Sequence, residues 1–226
     1  MAETGVQVLA QLGPMPEYAR HYAEQAAAMM PGYRTVLLAD QRSGRPLSGV
    51  ERISLASVVT SAEIADLDRS LMRAGFDLSY RRGYWRKVFL RFLSIRNFLN
   101  ASPSTGSALH LESDVSSFVT PTIVEQFLTG CSGAFVPMHD EGSACPSIIL
   151  GATSRDLADA MDVVVQAIGT RPGQSDMTIL GQAANDGLIA TLPTRVRDSL
   201  QNIDVMPWQA DGSSGPGRQA RVIYDA

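Results

Sequence analysis

This sequence predicts a single α/β domain whose mostly parallel sheet is covered by helices, and three observations support that. Short apolar runs alternate with longer segments of helical periodicity, the pattern of a strand-helix-strand chain. Most runs close on turn formers such as Gly13-Pro14 and Pro31-Gly32. With 226 residues, 45% of them apolar and 19% charged, the chain has enough apolar side chain for one sizeable core.

The elements follow in order. Val6 to Leu12 is an apolar run that reads as a buried first strand. Pro16 opens a helix, and the alanine-rich stretch from Glu17 to Met30 continues it to the Pro31-Gly32 stop. Thr35 to Ala39 is a second strand ending at Asp40, residues 41–49 are a loop, and Glu51 to Leu55 resumes a strand. A helix is expected over Ala62 to Arg73. From Trp85 to Leu99, apolar residues at 85, 88, 89, 92, 93, 95, 98 and 99 form a wide helical stripe. Around it, Arg81, Arg82, Arg86, Lys87, Arg91 and Arg96 occur with no acid between Asp77 and Glu112, which predicts a local positive patch. Ala108 to Leu111 is a strand closed by Glu112-Ser-Asp114. Pro121 to Leu128 reads as a helix, Ala134 to Val136 and Ser147 to Leu150 as strands, Arg155 to Ile168 and Asp176 to Ala184 as helices, and Leu188 to Leu192 as a last strand. The domain is expected to occupy residues 1–203, with 204–226 a polar, glycine-rich segment of the same domain.

Composition removes several classes of function. A net charge of −4 provides no sequence-wide positive field for nucleic acid, so none is expected as a partner. No apolar run reaches the roughly 18 to 20 residues that span a bilayer, and the start lacks a basic-then-apolar leader, so a cytoplasmic protein is expected. Cys131 and Cys145 have no second pair, so they read as two reduced, partly buried thiols. The only lysine, Lys87, follows no glycine run, which excludes a P-loop. Neither a Gly-x-Ser-x-Gly elbow nor a His-Glu-x-x-His pair is present. Gly212 to Gly217 reads as a flexible loop.

Glu112 and Asp114 carry the most chemistry. Residues two apart in an extended chain point to one side, so two hard oxygen donors face one point and can grip Mn²⁺ or Mg²⁺. Solvated loop acids are the alternative. The segment Leu109-His-Leu-Glu-Ser-Asp-Val115, preceded by the helix containing Leu90-Arg91-Phe92, resembles the Asp-x-Asp region of GT-A-type nucleotide-sugar glycosyltransferases. It is most similar to a bacterial glycosyltransferase-like group with a His-Leu-Glu-x-Asp-Val motif. Pro146-Ser-Ile-Ile149, Ser175-Asp-Met177 and Leu192-Pro193 follow in the same order, so the resemblance runs from about residue 6 to the end.

The resemblance implies a GT-A (Rossmann-related) fold and a sugar transferase whose acidic motif holds a metal on the donor diphosphate. Carried onto this chain, Asp114 is the metal ligand and Glu112 its partner, nearer the donor; Glu stands where Asp is usual. Asp176 is implied near the acceptor, as the catalytic carboxylate, although a helix-capping role explains it as well. Arg91 is either a solvated helix arginine or a donor-phosphate contact. By topology alone, Gln11 and Asp40, at the ends of the first two strands, are donor-site candidates. His110 reads as a core residue and His21 as surface, while His139 and Asp225 are additional site candidates. The expected partners are a nucleotide-sugar donor and a hydroxyl acceptor. A non-catalytic nucleotide-sugar or carbohydrate binding module and a metal-dependent nucleotidyltransferase are the alternatives.

Overall fold

A computed structural model of the chain describes residues 4–40, 45–104, 106–113 and 119–192. The strands are β1 (Gly5–Gln11), β2 (Tyr33–Ala39), β3 (Val50–Ser54), β4 (Ser107–Glu112), β5 (Ala134–Pro137), β6 (Ile148–Gly151) and β7 (Ala190–Leu192). The helices are α1 (Glu17–Met29), α2 (Ser61–Arg73), α3 (Tyr84–Ala101), α4 (Pro121–Leu128), α5 (Ser154–Thr170) and α6 (Asp176–Asn185). Every element expected from the sequence is present in the expected order, most with ends displaced by one or two residues. At β7 the expected start, Leu188, belongs to a turn instead, because the Leu188 and Ile189 amides both donate to the Ala183 carbonyl as α6 ends.

The seven strands form one sheet in the order β3-β2-β1-β4-β6-β5-β7. β3, β2, β1 and β4 run parallel, β6 runs antiparallel to both β4 and β5, and β7 is parallel to β5. Inversion of β6 brings its leading residue, Ser147, to the carboxyl end of β4, where the Ser147 carbonyl accepts the Glu112 amide at 3.0 Å.

Helices cover both faces, which is why β1, β2 and β4 read as nearly unbroken apolar runs. Val6, Val8, Val36, Leu38 and Ala108 pack with residues of α2, α3, α5 and α6 on one face. Leu9, Leu37, Leu109 and Leu111 pack with α1 and α4 residues on the other. The aromatic stripe of α3 is the centre of the first layer, where Phe89 and Phe92 are fully buried. Each such ring contributes about 1.5–3 kcal/mol by leaving water. Two helices begin on capping boxes, Thr60 with Glu63 for α2 and Thr153 with Asp156 for α5. No helix among the described residues is long and apolar enough to cross a membrane.

The expected positive patch on α3 is only partly realised, because three of its six basic residues meet acids. Arg86 pairs with Asp68 of α2, Arg96 with Asp162 of α5 at 2.8 Å, and Arg91 with two carboxylates described below. These acids are distant in sequence and adjacent only in the fold, so the gap between Asp77 and Glu112 was misleading. Cys131 is also more open than expected: it is exposed, whereas Cys145 is half-buried, and both are free thiols.

Candidate functional site

α3 runs against the parallel strands. Near its end Phe98 lies under Arg34 at the start of β2, while nearer its beginning Arg91 reaches Glu112 at the end of β4. Arg91 therefore stands at the carboxyl edge of the sheet, the edge at which open α/β sheets receive ligands.

Arg91 bridges two carboxylates. One terminal nitrogen meets Glu112 Oε1 and the other meets Asp176 Oδ2 at 3.0 Å. The Arg91 side chain is 13% exposed and that of Asp176 9%, so this pairing is shielded from water on most sides. Glu112 Oε2 accepts the Ser147 hydroxyl at 2.7 Å. Asp176 reaches Arg91 because the capping of α6 falls to its neighbour: the Ser175 hydroxyl accepts the Thr178 amide, leaving the Asp176 side chain to face α3. The helix-capping reading of Asp176 is thereby replaced by an ion pair.

The backbone of α6 packs closely on the loop after β5 because position 181 is glycine. A Cβ there would stand 2.5 Å from the Gly142 carbonyl oxygen, in the loop after β5. The Ala144 amide also donates to the Met177 carbonyl at 3.0 Å, tying that loop to the first turn of α6.

His110 lies two residues before Glu112 on the same face of β4. It is fully buried, its Nδ1–H donates to the Val8 carbonyl at 3.0 Å, and its Nε2 has no hydrogen-bond partner among the described residues. Burial, aided by the Arg91 charge and opposed by the Val8 bond, pushes its pKa down to about 3. The ordinary value is 6.5. Between these values the unfolded chain binds more protons than the folded one, so stability falls as pH drops through that window. The slope is up to about 1.4 kcal/mol per pH unit. Urea unfolding between about pH 7 and pH 4 is expected to show it, and His110→Gln to flatten it; an unchanged slope in the variant would assign the effect to carboxylates instead.

Gln11 and Asp40 both bind the loop between β1 and α1. Gln11 Nε2 donates to the Pro14 carbonyl and Gln11 Oε1 accepts the Ser113 hydroxyl at 2.5 Å. Asp40 Oδ2 accepts the Gly13 amide at 2.9 Å, which pins a residue held at φ +104°. The structure thus brings Gln11 and Asp40 to the same edge as Arg91, Glu112 and Asp176. His139 is exposed, in a tight loop closed by its amide on the Ser143 carbonyl, and does not join the cluster. Asp114, Asp225 and the segment 204–226 lie outside the described residues. Sequence reasoning placed Ser147 in a strand and in the resembling segment Pro146-Ser-Ile-Ile149 but gave it no role at the site.

No group of three or more His, Cys, Asp or Glu among the described residues is arranged to hold a metal ion. Glu112, expected as a metal partner, has Arg91 on one oxygen and accepts the Ser147 hydroxyl on the other.

No family model matches the sequence, and no curated protein matches it. Solved structures do match the fold. Mouse xyloside xylosyltransferase 1 in its apo form aligns over 85% of this chain and 85% of its own, with a TM-score of 0.52 and 9% identity. An active-site mutant of LgtC, a galactosyltransferase, aligns over 84% of this chain and 73% of its own, with a TM-score of 0.50 and 13% identity. At such identities the likeness concerns the fold, and the fold of this chain is that of the GT-A glycosyltransferases.

Proposed function

We propose that the chain is a glycosyltransferase that moves a sugar from a nucleotide-diphosphate donor to a hydroxyl acceptor. The observation that carries this reading is the Glu112–Arg91–Asp176 cluster at the carboxyl edge of a GT-A sheet. In the transfer, the acceptor oxygen bonds to the anomeric carbon and the bond from that carbon to the diphosphate breaks. The electron pair leaves with the diphosphate, and the hydroxyl proton passes to a base.

Asp176 is the carboxylate assigned to the acceptor, as orienting group or base. With two terminal nitrogens committed to carboxylates, Arg91 is assigned to positioning rather than to phosphate: a guanidinium fork holds two acids in one geometry. Gln11 and Asp40, joined through the β1–α1 loop, are assigned to the nucleoside side of the donor. Asp114, two residues past Glu112, is the residue assigned to Mn²⁺ or Mg²⁺. Such an ion, when bound, supplies positive charge against the departing diphosphate.

Incubation with a panel of nucleotide sugars and Mn²⁺ tests the reading. Donor hydrolysis or transfer supports it, binding without turnover points to a binding module, and pyrophosphate release from nucleoside triphosphates points to nucleotidyl transfer. Asp114→Asn is expected to weaken Mn²⁺-dependent donor binding by about tenfold or more with the fold intact. Unchanged affinity removes Asp114 from the site.

A further inference from the structure

Lys87 is the only lysine among 19 basic residues, and it stands one helical turn before Arg91 on the same face of α3. Because α3 runs against the strands, that turn moves Lys87 outward along the carboxyl edge, over the loop between β1 and α1. Its ammonium lies 3.6 Å from where a Cβ on Gly13 would stand. Glycine at this position, with φ +104°, puts no side chain in front of that charge.

The other basic residues in the body of α3 are matched. Arg86 has Asp68, Arg96 has Asp162, and Arg91 has Glu112 and Asp176. The Lys87 side chain, half-buried, makes no hydrogen bond or ion pair among the described residues. Asp40, the acid nearest in the loop's bonding, takes the Gly13 amide and forms no ion pair with Lys87. The cluster of Arg91 with Glu112 and Asp176 sums to one negative charge, and Asp40 adds another. An anion approaching this edge therefore meets Lys87, which has no acid partner among the described residues, together with Arg52, which contacts Met15 of the same loop and forms no ion pair among the described residues either.

We propose that the Lys87 ammonium binds the phosphates of a nucleoside diphosphate seated over the β1–α1 loop. This rests on the nucleotide-sugar reading above and deepens it by giving the diphosphate a protein contact that Arg91 does not provide. Lysine suits the task as a compact point charge on a flexible stem. Arg91 instead needs the rigid fork to hold two acids.

Calorimetric titration of the full chain with UDP, GDP, CDP and ADP in Mn²⁺, at several salt concentrations, tests the assignment. For a diphosphate that binds the wild type, Lys87→Met is expected to bind about tenfold more weakly, with a shallower salt dependence. Lys87→Arg, which keeps the charge, is expected within about threefold of wild type. Affinity in Lys87→Met within about twofold of wild type overturns the proposal, as does an equal loss in Lys87→Arg, which would mark a steric role. If none of the four binds the wild type, the nucleotide-sugar reading fails, and this assignment falls with it. Superimposable circular dichroism spectra of the three proteins keep unfolding out of the comparison.

Discussion

Replacing Arg91 with methionine is expected to lower the unfolding free energy by about 3–5 kcal/mol, the cost of leaving buried charges without their counter-ion. Methionine keeps most of the stem that packs along α3, so the loss isolates the guanidinium. What remains is Glu112 and Asp176 facing each other, the latter only 6% exposed. Two like charges in such a place favour protonation of one of them, so the deficit should shrink as pH falls into the carboxylate range. Arg91→Lys should recover only part of it, because one ammonium cannot present two separated nitrogens to two acids. Combining Arg91→Met with Glu112→Gln and Asp176→Asn removes the stranded charges and should regain much of the loss. Urea unfolding of the four proteins measures each step; a deficit below about 1 kcal/mol would place this pairing with solvated surface bridges.

Asp176→Asn is expected to have the largest functional effect. Asparagine keeps the shape of the side chain and a carbonyl oxygen for Arg91, but it cannot take a proton. If Asp176 orients or deprotonates the acceptor hydroxyl, transfer should fall by roughly 10² to 10⁴ while donor affinity stays almost constant. Steady-state rates with a transferable donor, together with donor titration of the same variant, separate the two quantities. A fall in donor affinity with an intact rate at saturation would move Asp176 to the donor side.

The elements of this fold were legible because their signals are local. An apolar run closed by Gly13-Pro14, an alanine-rich helix stopped at Pro31-Gly32 and the aromatic stripe of α3 each declare themselves within a dozen residues. Full burial of His110 also followed from its place in an apolar strand. The charge relations were not legible in the same way. Asp68 and Asp162 neutralise α3 from neighbouring helices, and nothing in the run from Arg81 to Arg96 announces them. Glu112 was singled out by its spacing from Asp114 and Asp176 by resemblance, yet their meeting at Arg91 joins residues 21 and 85 positions away from it, a relation that spacing does not encode. Lys87 served in the sequence to exclude a P-loop and as one member of a positive patch, since a single lysine on an amphipathic helix has no pattern of its own.

The register of the central strands has a kinetic consequence. β1 pairs with β4 from Gly5 opposite Ser107 to Ala10 opposite Glu112, so the middle of the sheet joins segments about a hundred positions apart. Closing so long a loop precedes any reward from the contacts it makes, and sheets built this way assemble slowly compared with helical bundles. During synthesis β1 and β2 can pair early, but one edge of β1 stays open until residue 112 has been made. Glu112 can then find Arg91, whereas Asp176 arrives more than sixty residues later. The ion cluster is therefore among the last features to form, and a nascent chain halted before α6 presents a sheet whose carboxyl edge still lacks one of its acids.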